Sequence, residues 1–121
     1  MGYFGADGRY RDTDEVTLRA SAVLSASAAG AWVEIGDRAQ LRLTLTVSAV
    51  SGTSPTLDVD IETASDSAGS NLATIGSFSQ QTAAGSQRLI FDACDRFARI
   101  KSTLGGSASP SVTFAVAGEA V

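Results

Sequence analysis

The sequence predicts an all-β domain, an antiparallel β-sandwich of jelly-roll type with about eight strands and an extended N-terminal arm. Three observations carry this. The stretches "LRLTLTVSAV" (41–50), "TLDVDIET" (56–63) and "SVTFAVAGEA" (111–120) alternate apolar and polar residues with a period of two. Segments rich in Gly, Ser and Pro separate such stretches at roughly 8–12-residue intervals. No window carries an apolar stripe with the 3.6-residue period of a helix. A chain of 121 residues is one domain long and can bury a core without disulfides or metals.

Residues 1–15 read as a polar, glycine-spaced arm, and 16–121 as one sandwich domain. Tyr3, Phe4 and Tyr10 stand in the arm among charged residues and glycines, where they cannot build a core of their own. They are the candidate interface residues, docking on the parent domain or on a neighbour. From Val16 the alternation places Val16, Leu18, Ala20 and Ala22 on one face. "SASAAGA" (25–31) reads as a small-residue connection, followed by a strand in "AWVEIG" (31–36) and a turn at Gly36–Asp37. In 41–50, Leu41, Leu43, Leu45 and Val47 face inward. "SGTSP" (51–55) reads as a turn, since glycine permits positive φ and proline fixes φ without a donor.

Leu57, Val59 and Ile61 face inward from the next strand, with Asp58, Asp60 and Glu62 opposite. "LATIGSFS" (72–79) predicts an irregular or bulged strand, "QRLIF" (87–91) a short one, and "DACD" (92–95) a turn. In 96–104 the expected inward set is Phe97, Ile100, Ser102 and Leu104, with Arg99 displaced by a bulge. "GGSASP" (105–110) reads as a second turn, after which Val112, Phe114 and Val116 share a face. The two prolines, Pro55 and Pro110, thus occupy the same place in two similar segments, as if one hairpin were written twice.

Composition narrows the function. Apolar residues make up 44% and charged residues only 18%, with a net charge of −4. Sparse charge fits a surface covered by partners, or one made soluble by Ser and Thr. Lys101 is the only lysine and the arginines are scattered, so nucleic acid and anionic membranes are not expected partners. Arg96 and Arg99 lie near Asp95 and Asp92, which suggests a solvated ion-pair face. The N-terminus has no apolar signal segment, and no apolar run approaches the roughly 20 residues needed to span a bilayer. Its starting Met suggests a gene product made in the cytoplasm.

The chain contains no histidine and one cysteine, Cys94. This removes His-based triads and leaves no structural zinc set. Cys94 reads as a structural thiol. Asp58, Asp60 and Glu62 stand about 6.5–7 Å apart along one strand face, a spacing open to catalytic carboxylates or calcium but shared by any exposed strand face. A solvated, edge-protecting acidic face is the expected role. Trp32 admits a carbohydrate-stacking role or a place in the core or an interface. No enzyme activity, cofactor, metal or small-molecule substrate is expected.

Residues 41–121 resemble a small β-sandwich protein of tailed-bacteriophage structural modules. The resemblance rests on "TLDVDIETASD", "FSQQTAAGSQ", the "RFAR" element with Arg96, Phe97 and Arg99, and a closing element with Gly106, Ser109, Pro110, Ser111, Thr113 and Phe114. It implies a non-catalytic virion component, foremost a capsid decoration (cement) protein. Such a protein binds the major capsid protein on the capsid surface, as a homo-oligomer with a trimer favoured, and braces the shell against internal DNA pressure. A neck or tail component is the alternative within virions, and a carbohydrate-binding module the alternative outside them.

Overall fold

Two strands of 24 residues, β6 (Leu41–Ala64) and β9 (Phe97–Ala120), organise the chain. In the computed structural model, which describes residues 2–4, 10–12, 14–36, 40–92 and 94–121, they pair antiparallel from end to end. Leu41 faces Ala120 at one end and Ala64 faces Phe97 at the other. The fold is all-β, with no helix among the described residues. Around the long pair stand β3 (Asp14–Leu24), β4 (Ala28–Ala29), β5 (Val33–Glu34), β7 (Ala73–Ser77) and β8 (Gly85–Phe91), which complete a seven-stranded antiparallel sheet. Next to one half of the long pair the order is β3–β9–β6–β8. Next to the other half, β4 and β5 flank β9 while β7 flanks β6.

"SGTSP" and "GGSASP" are therefore not hairpin turns. Both lie inside the long strands and face one another, Thr53 opposite Ser107 and Thr56 opposite Gly105. The ladder shifts register there through bulges, and the matched ends show that the shifts cancel. Gly52 and Gly106 have φ of 100° and 117°, a region open to glycine. They also pack reciprocally: a Cβ on Gly52 would lie 2.8 Å from Cα of Pro110, and one on Gly106 would lie 3.0 Å from Cα of Pro55. The repeated segment thus marks a crossing point with approximate two-fold symmetry. Ser54, Ala108 and Ser109 also take positive φ there.

The predicted alternation sets the core on both sides of the crossing. Leu41, Leu43, Leu45 and Val47 are buried in the first half, and Leu57, Val59 and Ile61 in the second. Val112, Phe114 and Val116 are buried as expected, and all join one hydrophobic cluster. Two frames differ from expectation. In β9 the buried residues are Ala98, Ile100 and Ser102, while Phe97 and Arg99 take the other face without a bulge. In β3, Val16 and Leu18 are buried but Ala20 and Ala22 are exposed, because the strand shifts register between Thr17 and Arg19 and again before Ala22. Arg19 covers the core there, its guanidinium 4.4 Å from the centre of the Phe114 ring.

The segment ahead of β3 holds two short strands, β1 (Gly2–Phe4) and β2 (Tyr10–Asp12), paired antiparallel as a separate two-stranded sheet. The turn expected at Gly36–Asp37 and the middle of "DACD" fall partly outside the described residues.

Candidate functional surface

Three places could carry function: the acidic face of β6, the outer face of the first half-sheet, and the N-terminal ladder. The acidic face is built by alternation, which turns Asp58, Asp60 and Glu62 away from Leu57, Val59 and Ile61. β6 is an interior strand here, with β9 on one side and β7 on the other, so these carboxylates do not protect an edge. Each is engaged by its neighbours. Gln80 Nε2 donates to Asp58 Oδ2 at 3.0 Å, and Ser77 Oγ donates to Asp60 Oδ1 at 2.5 Å. Glu62 is buried, 4% exposed, and its Oε1 accepts a hydrogen bond from Arg99 Nε at 2.8 Å. Among the described residues no group of three or more Asp, Glu or Cys side chains is placed to hold a metal ion.

Arg99 extends this arrangement to Trp32. Its guanidinium carbon stands 4.4 Å from the centre of the indole ring, a cation–π stack. A Cβ on Gly69 would lie 3.4 Å from Nε1 of Trp32, so the loop after β6 closes against the indole. Arg99 thus occupies one face of Trp32. The ion pairs expected between sequence neighbours are replaced by longer-range ones. Arg99 pairs with Glu62, and Arg96 Nη2 lies 3.9 Å from Glu34 Oε1, while Asp95 accepts the Arg96 backbone N–H. The sheet register, set by residues far apart in the chain, decides these partners.

On the outer face of the first half-sheet, a shallow groove of about 690 Å³ crosses four strands. Glu15, Arg42, Arg88, Ile90, Gly118 and Glu119 are among the residues that line it. The register places Glu15 directly opposite Glu119, and Glu119 opposite Arg42. Arg42 Nη1 lies 3.9 Å from Glu119 Oε1, with both side chains about two-fifths exposed, so water screens this pair and its contribution is small. The groove is acidic towards β3 and basic towards β8. Sequence reading did not single it out, because its residues come from four distant segments.

Of the candidate interface residues, Phe4 pairs with Tyr10, and Tyr3 with Arg11, across the β1–β2 ladder. The backbone therefore brings Tyr3, Phe4 and Tyr10 together in one two-stranded unit, outside the seven-stranded sheet.

Cys94 is half-buried against the core, with Sγ 3.6 Å from the Phe91 carbonyl oxygen. Burial pushes its thiol pKa up, and the nearby Asp92 charge adds to this. Since the thiolate is the reactive form, Cys94 is expected to react at least about tenfold more slowly with a thiol reagent at pH 7 in the native protein than in denaturant. A spectrophotometric thiol titration in both conditions checks this; equal rates would contradict the burial. Asp66 behaves oppositely: hydrogen bonds from Ser70 and from the backbone of Ala68 hold its carboxyl below the usual range. It orders the loop after β6.

Compared with known proteins, the chain matches no family model, no curated protein and no solved structure.

Proposed function

We propose that the chain is a non-enzymatic structural protein of a tailed-phage virion, a decoration protein that binds the outer capsid surface and braces the shell. The observation that carries this reading is the use the fold makes of its polar and aromatic groups. Asp58, Asp60, Glu62, Arg99 and Trp32 all bond or stack within the chain, as scaffold residues do. The resemblance of residues 41–121 to virion modules supplies the partner class.

In this reading the domain is a β-sandwich made by one sheet doubled over at the Gly52–Gly106 crossing. Straight 24-residue strands would run about 80 Å, more than twice the width of about 35 Å expected of a domain this size. The same face of β6 and β9 is buried on both sides of the crossing. Phe78, just after β7, and Phe91, ending β8, belong to opposite halves, yet their rings meet edge to face with centroids 5.3 Å apart. All three observations favour a doubled sheet.

The arm is the proposed capsid anchor. An isolated two-stranded ladder is marginally stable in water, and aromatic side chains supply much of the energy at interfaces. Mixing the purified protein with undecorated capsids tests the proposal. Saturable binding at a fixed ratio to capsid subunits, and a higher capsid disruption temperature, are expected. Co-sedimentation with tails but not capsids would move the assignment to the tail, and binding to neither would remove the virion reading. Deleting residues 2–12 is expected to leave a folded domain with capsid binding lost; undiminished binding would remove the arm from the interface.

A further inference from the structure

The geometry points to self-association of this protein through strand β8, which pairs with β8 of a second copy across a two-fold axis. Among the described residues β8 is paired on one side only, by β6. The edge strand at the opposite side of the same half-sheet, β3, carries the features that discourage strand addition. It shifts register twice, and Arg19 turns its charge inward over Phe114. β8 has neither feature. Its seven residues run in unbroken register with β6, from Leu41 opposite Phe91 to Val47 opposite Gly85.

β8 also leaves apolar side chains uncovered. Ile90 is 59% exposed on the outer face, and Leu89 is 39% exposed although it lies on the core-facing side, opposite buried Leu43. A regular, apolar, unpaired edge invites another strand.

The residues of β8 select a second copy as that strand. In an antiparallel pair related by a two-fold axis, a residue on one copy meets its symmetry equivalent at the centre. Centring on Leu89 sets the two Leu89 side chains against each other, which covers both on the core side. On the outer face it sets Arg88 of one copy beside Ile90 of the other, with Asp92 and Arg88 of the second copy on the two diagonals, so that the long Arg88 side chain can reach the Asp92 carboxylate and turn away from the other guanidinium. Asp92 accepts one hydrogen bond from Gln40 Nε2 at 2.9 Å and retains acceptor capacity for a guanidinium. Centring on Arg88 instead would oppose two guanidinium groups, which is repulsive. Centring on Ile90 would set Leu89 against Phe91, which is already buried at 4% exposure and does not cover it, so Leu89 is the register centre. The association holds whether or not the chain binds a capsid.

Sedimentation of the full chain, followed by site-directed crosslinking, tests this. The wild-type protein is expected to sediment with twice the chain mass, and Leu89→Lys, at a part-exposed position, to keep its thermal transition while weakening association at least about tenfold. With Cys94→Ser as background, Leu89→Cys is expected to form a disulfide-linked dimer on mild oxidation. Arg88→Cys and Ile90→Cys are each expected to stay uncrosslinked alone and to crosslink when mixed. A wild-type monomer at high concentration, or a Leu89→Lys protein that stays fully associated, would overturn the interface. Crosslinking of Arg88→Cys alone, without Leu89→Cys, would overturn the register.

Discussion

Gly118→Ala is expected to remove most of the stability of this protein, and Gly118→Val to prevent folding. The reason is the neighbouring backbone. A Cβ at position 118 would overlap the carbonyl oxygen of Arg42, and would also lie 2.9 Å from its carbonyl carbon and 3.0 Å from Cα of Leu43. Those atoms belong to β6, which is held by β9 on one side and β8 on the other, so they cannot move aside without breaking two ladders. Glycine inside a strand commonly marks such a close approach. The cost of one methyl group here is expected to be about 4 kcal/mol or more, in the exceptional range for a single substitution and a large share of the roughly 5–15 kcal/mol that holds a domain together. Ala117→Thr is the control: its side chain lies on the outer face beside Thr17 and Thr44, where a β-branched residue suits a strand, and a change within about 1 kcal/mol is expected. Urea unfolding of the three variants checks this. A Gly118→Ala midpoint close to wild type would mean that β6 and β9 pair differently at this end.

The contrast between position 118 and the crossing point shows what was legible in the sequence. Period-two alternation identified the core faces of 41–47, 57–61 and 112–116, because one-sided burial writes itself directly into neighbouring residues. "SGTSP" and "GGSASP" misled for a physical reason. Glycine at positive φ and proline without a donor serve a bulge in a paired strand as well as a turn. Only the partner strand separates the two cases, and Thr53 meets its partner Ser107 far along the chain. The frame of β9 misled similarly: Phe97 looks like a core residue, yet small Ala98 is the one fully buried. Of the candidate surface, the arm aromatics were visible as residue types, but the groove and the Glu62–Arg99–Trp32 stack depend on register between distant strands. Gly118 carried no local sign of its role.

That stack sets the second large expected effect. Glu62 is nearly fully buried and its charge is answered by Arg99, 2.8 Å away, which also stacks on Trp32. Arg99→Ala leaves the Glu62 carboxylate buried without its partner and uncovers the indole. Breaking a buried pair from one side costs about 3–5 kcal/mol. Arg99 is about a quarter exposed, so water can reach the carboxylate in the variant, and the lower end, about 3 kcal/mol, is expected. Replacing both partners is a different experiment. Glu62→Leu with Arg99→Met keeps the volume, removes both desolvated charges and leaves an aliphatic chain against Trp32, so its cost is expected to be about 1 kcal/mol or less. The double variant should therefore be more stable than Arg99→Ala alone, an inversion that independent surface residues would not produce. Arg96→Ala serves as the contrast, since its 3.9 Å contact with Glu34 joins two side chains about three-fifths exposed, and a loss below about 1 kcal/mol is expected. Thermal unfolding of all three proteins decides the matter: if Arg99→Ala were no more costly than Arg96→Ala, the Glu62–Arg99 pair would be a solvated surface contact and not part of what holds β6 against β9.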